Sequence, residues 1–107
     1  MIRSALFVPA HREGWVEKAL RAGPDAVILD LEDSVPDGEK DTARALVGAG
    51  IATVAAAGVI PMVRPGGLRD LEACLVEELE ALVLPKVDTI EDVVLYAAAL
   101  DLSLIHI

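Results

Sequence analysis

The chain has 107 residues, of which 54% are hydrophobic and 3% aromatic, and its 9 basic and 18 acidic residues leave a net charge of −9. The apolar content excludes a disordered chain, and the acidic balance, with no basic cluster, counts against a nucleic acid or an anionic membrane as partner. Apolar stretches stop short of a membrane span, no signal-peptide pattern precedes the first strand, and the lone Cys74 has no internal disulfide partner, so a cytoplasmic, reducing setting is expected.

The first apolar run, residues 4–8, reads as a strand that leads into Pro9. A loop with His11 follows, expected to be solvated, and then a helix over 12–22 in which Trp15 is a packing residue. The second strand, 26–31, is apolar except for Asp30, and Glu32 and Asp33 follow it directly. Residues 39–57 have helical composition, but Gly48 and Gly50 each weaken a helix by about 1 kcal/mol relative to Ala, which allows two shorter helices. A third strand, 59–63, ends on Arg64. The spacing of Leu68, Leu71, Leu75 and Leu79 then predicts a helix over 68–79 with Cys74 buried in it. A fourth strand, 81–84, precedes Lys86, and Thr89 with Asp92 fits a cap opening a helix over 89–100.

Continuous rather than alternating apolar strands imply a parallel sheet covered on both faces. The repeating strand–helix rhythm implies right-handed βα units. Two architectures fit: an open doubly wound sheet, or the N-terminal half of a (β/α)8 TIM barrel, which needs about 250 residues when complete.

In either, the C-terminal strand ends share one rim, where active sites form. Asp30, Glu32, Asp33, Arg64 and Lys86 all fall there. Three carboxylates within four positions are tolerable only beside water, cations or donors. One reading makes them a helix-capping cluster, with Asp33 or Ser34 as the cap. The other turns Asp30 and Glu32 into a cleft, for a divalent metal with its waters or for acid/base work. Arg64 suits a bidentate carboxylate contact or a structural ion pair with these acids. Pro65, Gly66 and Gly67 permit a tight loop with close backbone approach to a ligand. Lys86 suits an anion or a pairing with Glu32.

The blocks "RSALFVPA", "AVILDLEDSVPDGEKDTAR", "MVRPG" and "ALVLPKVDT" together resemble the citrate lyase β-subunit-like branch of the HpcH/HpaI aldolase family. The resemblance implies a (β/α)8 barrel and a Mg²⁺-dependent lyase that acts on carbon–carbon bonds. Its substrates would be β-hydroxy acids as coenzyme A or acyl-carrier thioesters, cleaved to an α-keto acid and an acyl thioester. It places the keto acid carboxylate on Arg64, and sets Glu32 and Asp33 near the water shell of the metal as catalytic candidates. It implies a homo-oligomeric parent. This chain departs from the family pattern at Ala10 and at Pro65–Gly66, and the direct metal ligands of the family come from later strands.

The last six residues, 102–107, follow the acidic fourth helix without a cap or turn and back-translate in one frame to a transposon-end adapter of sequencing libraries. The expected organisation is therefore a partial barrel domain over 1–101 and a non-native tail over 102–107, the other possibility for the tail being a fifth strand. Two further readings stand beside the lyase: a receiver-like Mg²⁺-binding signalling domain, and an inactive fragment with unpaired sheet edges.

Overall fold

A strand that carries Ala, Val, Ile and Leu without polar interruption is stable only with cover on both faces, and the second strand takes the centre of the sheet. The computed structural model describes residues 2–85, 91, 93–95 and 97–98. Its strands are β1 (Ala5–Pro9), β2 (Ala26–Asp30), β3 (Ile60–Arg64) and β4 (Ala81–Leu82). They form one sheet in the order β1-β2-β3-β4, every neighbouring pair parallel. Each strand thus follows its predecessor in space as in sequence. A doubly wound sheet needs a reversal of strand order, which these four strands do not make. They alternate with helices in an open sheet, consistent with the N-terminal half of a (β/α)8 barrel.

The helices are α1 (Trp15–Leu20), α2 (Lys40–Ala56) and α3 (Leu71–Cys74), with 3-10 turns at Asp37–Glu39 and Leu68–Asp70. Helix α2 buries Ala43, Val47, Ile51 and Val54, one stripe at helical spacing. That stripe meets Val27 and Leu29 of β2, Val8 of β1 and Val63 of β3. Burying each Val or Ile side chain contributes about 1.5–3 kcal/mol. The opposite face of the sheet carries Phe7, Ile28, Asp30, Met62 and Arg64 by strand alternation. Phe7 on that face is 51% exposed.

Several element boundaries differ from the sequence reading. Helix α2 runs unbroken through both glycines. At Gly50 an added Cβ would lie 3.1 Å from Leu29 Cδ1, so the glycine lets the helix lie close over β2. Helix α1 begins three residues later than expected, because Gly14 precedes it with φ +82°, a left-handed conformation that suits glycine. The expected 68–79 helix stops at Cys74, where Leu75 leaves helical geometry at ψ 71°. Glu77, Glu78 and Glu80 would place negative charge on the C-terminal end of a longer helix, against its dipole. Trp15 is 44% exposed beneath the Arg12 guanidinium, 5.2 Å from its ring centre, rather than packed in the core.

The described residues between 91 and 98 are helical. Lys86, Thr89, Asp92 and the 102–107 tail lie outside the described residues. Among the described residues no helix is long and apolar enough to cross a membrane.

Candidate functional site

Parallel register brings Pro9, Asp30 and Arg64 side by side at the C-terminal strand ends. Two backbone bonds carry the ladder one step further: Ala10 N–H donates to Asp30 O at 3.0 Å, and Leu31 N–H to Arg64 O at 2.9 Å. Asp30 is 1% exposed, yet its carboxylate is surrounded by donors. Oδ1 accepts from Glu32 N at 3.0 Å and Arg64 Nε at 2.8 Å. Oδ2 accepts from Ser34 N at 3.0 Å, Ser34 Oγ at 2.7 Å and Arg64 Nη2 at 2.9 Å. Burial opposes the charge on Asp30, but the bonds from Arg64, Ser34 and Glu32 outweigh it and hold the carboxyl well below the ordinary carboxylate range. Ser34 therefore folds back onto Asp30 instead of capping a helix, and the turn at Asp37–Glu39 has no side-chain cap.

Arg64 is held from two further directions. Its Nε lies 3.4 Å from Glu32 Oε1, and its guanidinium stacks over the Phe7 ring at 4.7 Å. The hydrogen bond to Asp30, together with the charges of Asp30, Glu32 and Asp33, raises its pKa further, so it is cationic at any working pH. Of the two sequence readings for Arg64, the structure shows the ion pair with the strand-two acids. That pair occupies the Nε–Nη2 edge. The Nη1 hydrogens and the second Nη2 hydrogen have no partner among the described residues, and the side chain keeps 22% exposure. A planar carboxylate fits that remaining edge.

The loop after β2 is fixed as firmly. Lys40 Nζ donates to Leu31 O at 2.9 Å and to Glu32 O at 2.7 Å. A Cβ on Gly66 would lie 2.8 Å from Leu31 O, so the two loops touch backbone to backbone. The close approach expected of this glycine is thus made to the chain itself rather than to a ligand. Gly66 N–H donates to Asp70 Oδ2 at 2.6 Å, and Asp70, 2% exposed, pairs with Arg44 Nη1 at 2.8 Å. Arg44 also pairs with Asp41.

Glu32 and Asp33 line a cavity of about 800 Å³ with Val35, Lys40, Leu68 and Pro85. Glu32 keeps 11% side-chain exposure, and Asp33 is exposed. The structure therefore brings Asp30, Glu32 and Arg64 into contact and sets Asp33 on the neighbouring cavity. Among the described residues, no three His, Cys, Asp or Glu side chains converge so as to hold a metal ion.

Sequence reasoning missed Lys40, Arg44 and Asp70. Lys40 and Arg44 stand in the quoted "DGEKDTAR" block, but their partners are backbone carbonyls and an acid 26 residues away, which no local spacing reveals. His11, expected to be solvated, is half-buried, and its Nδ1 has no hydrogen-bond partner among the described residues. Cys74 is buried, as expected.

A family model described as HpcH/HpaI aldolase/citrate lyase matches residues 3–102. A protein named (3S)-malyl-CoA thioesterase from Cereibacter sphaeroides is 38% identical over 102 residues, covering 90% of this chain and 36% of the relative. Citrate lyase subunit beta from Escherichia coli K12 is 37% identical over 97 residues, 85% of this chain and 32% of the relative. The same subunit from Leuconostoc mesenteroides is 36% identical over 93 residues, 81% of this chain and 31% of the relative. The chain spans about a third of the length of these curated relatives.

Proposed function

The chain belongs to the HpcH/HpaI aldolase/citrate lyase family, and from that premise we propose that it carries the carboxylate-binding part of a carbon–carbon lyase. The reaction is cleavage of a β-hydroxy acyl thioester, carried by coenzyme A or an acyl carrier, to an α-keto acid and a shorter acyl thioester. The β-hydroxyl loses its proton, the bond between the α and β carbons breaks, and its electron pair passes to the acyl thioester fragment, which is then protonated. The observation that carries this reading is the Arg64 guanidinium at the strand-end rim, locked on one edge by Asp30, with no hydrogen-bond partner on the other among the described residues.

In this proposal Arg64 holds the carboxylate that becomes part of the keto acid. Glu32 and Asp33, at the cavity beside it, take or orient the proton that the hydroxyl loses. Mg²⁺ belongs to the proposal as the cofactor the resemblance implies. Among the described residues no three His, Cys, Asp or Glu side chains gather to hold an ion. In this proposal Glu32 and Asp33 would orient water around an ion held by residues of the parent elsewhere. Residues 1–101 are taken as part of a barrel domain and 102–107 as a non-native tail, the whole enzyme being a cytoplasmic homo-oligomer. The receiver-like alternative loses its support, since that fold places its strands in the order 2-1-3-4-5.

The test compares the 107-residue chain with a version extended to the length of the curated relatives, each supplied with Mg²⁺ and a malyl or citramalyl thioester. Turnover is expected only from the extended protein. There, Arg64→Ala should weaken keto acid binding by roughly 2–4 kcal/mol, the loss of a charge-assisted bidentate contact. EDTA-sensitive cleavage by the 107-residue chain would refute the division of labour, and an unchanged KM in Arg64→Ala would refute the clamp.

A further inference from the structure

The Asp30 carboxylate is the most heavily engaged polar group at the rim, and the proposed chemistry does not use it. It is buried at 1% exposure, yet it contacts neither the cavity nor solvent. Its partners fall into two groups. One is the guanidinium of Arg64, gripped by both carboxylate oxygens at 2.8 and 2.9 Å. The other is the loop that follows β2, met through Glu32 N, Ser34 N and Ser34 Oγ. One side chain thus fixes both the cation that would bind a ligand and the loop that bears the two cavity acids.

We propose that Asp30 is the positioning residue of the carboxylate clamp: it fixes the Arg64 guanidinium by its Nε–Nη2 edge, presents the remaining Nη edge to a 2-oxo acid, and ties that edge to the loop bearing Glu32 and Asp33. The inference rests on the clamp reading given above. A free arginine side chain turns about several bonds and presents either edge of its fork. Two parallel bonds to a buried carboxylate remove that freedom, so less order is lost when a ligand carboxylate arrives. Phe7 limits motion out of the plane on one side, since its ring lies against one face of the guanidinium. Lys40 holds the same loop from its other side through Leu31 O and Glu32 O, which leaves the Glu32 backbone pinned at both its N–H and its carbonyl.

The test is NMR on the 107-residue chain with ¹⁵N-labelled arginine, with glyoxylate as the 2-oxo acid probe. In the wild type, the Arg64 Nε–H should exchange slowly with water, and its Nη signals should be resolved rather than averaged by rotation. This measurement needs no variant to fold. Asp30→Asn keeps the size of the side chain but removes its charge and one of its two acceptors. It should speed Nε–H exchange by about tenfold or more and weaken glyoxylate binding by a similar factor. Ser34→Ala removes a donor to Asp30 that does not touch Arg64, and should leave the Nε–H protected.

Fast exchange and averaged Nη signals in the wild type would overturn the proposal, as would an Asp30→Asn variant that matches the wild type in both readouts. A wild type with a protected Nε–H but no glyoxylate-dependent shift at Arg64 would count against the clamp reading itself and would thereby overturn the role proposed for Asp30. A protected Nε–H with glyoxylate binding that Asp30→Asn leaves intact would overturn the positioning role alone.

Discussion

Replacing Gly66 by alanine should damage this protein far more than the same change one residue later. The Gly66 Cβ would sit 2.8 Å from Leu31 O and 3.0 Å from Asp70 Oδ2. The first obstacle is backbone, held by the Lys40 ammonium at 2.9 Å, so it cannot swing aside as a side-chain tip would. The second is a buried carboxylate already paired with Arg44 and with Gly66 N–H at 2.6 Å. Forcing a methyl group into such a contact costs about 1–3 kcal/mol. Pushing the loop outward also weakens a hydrogen bond to a charged group, which is worth about 1.5–3 kcal/mol when wholly lost. A total of roughly 2–4 kcal/mol follows if that bond is partly kept, or a Tm loss on the order of 10–20 °C for a domain of this size. Gly67 has nothing within 4 Å of its Cβ position and extended backbone at φ 173°, so Gly67→Ala should stay within about 0.5 kcal/mol of the wild type. Urea and thermal unfolding followed by circular dichroism measure both variants. Equal stability of the two, in either direction, would refute the reasoning.

Acid should unfold the protein partly through Asp30. Its folded-state pKa is depressed below the ordinary value of 3.8, so its contribution is complete above that value and is lost as pH falls below it; Asp30→Asn should flatten the stability–pH curve in that acidic range. The Cys74 thiol is pushed up to about 12 by burial and, secondarily, by the charge of Asp70, so the native protein should resist a thiol reagent at pH 8 and react stoichiometrically once unfolded in urea. Gly48→Ala should stabilise helix α2 by about 0.5–1 kcal/mol, because its Cβ would make only an ordinary 3.8 Å contact with Val76; a loss in urea unfolding would show that the helix is more crowded there than its contacts indicate.

The strands were readable because the apolar runs are short, rich in Val, Ile and Leu, and bounded by Gly, Pro or charge, which favours a buried strand over a helix. Their order was not, since βα units of this length also build doubly wound sheets, and only the family resemblance pointed to the sequential order of a half barrel. Helix lengths were only partly readable. The leucine spacing after Leu68 continues past Cys74, yet the backbone turns at Leu75, since periodicity records which face is apolar and not where accumulated negative charge ends a helix. Gly50 looked like a weakness in α2, whereas its missing side chain is what Leu29 requires. At the rim, the sequence identified Glu32, Asp33 and Arg64 as the polar cluster. It could not apportion partners within it: strand alternation puts Asp30 and Glu32 on one side, but does not say that Asp30 takes one whole edge of the Arg64 guanidinium. Asp70 and Arg44 were invisible for the same reason, being joined across 26 residues of chain by a contact that exists only once the loop after β3 has folded.

The neighbour-by-neighbour order of the sheet also bears on how the chain is made. Each strand pairs with the one synthesised just before it, and a single helical segment bridges each of the first two pairings. Within the four strands, only the outer edge of β1 is left behind without a neighbour as synthesis proceeds. β1 has its partner once β2 emerges, and β2, the most buried strand, gains its second partner as soon as α2 and β3 follow. Aggregation of a nascent chain depends on how long an unsatisfied strand edge stays exposed. Apart from the outer edge of β1, that exposure passes along the sheet as a moving front, one strand wide, at the pace of translation.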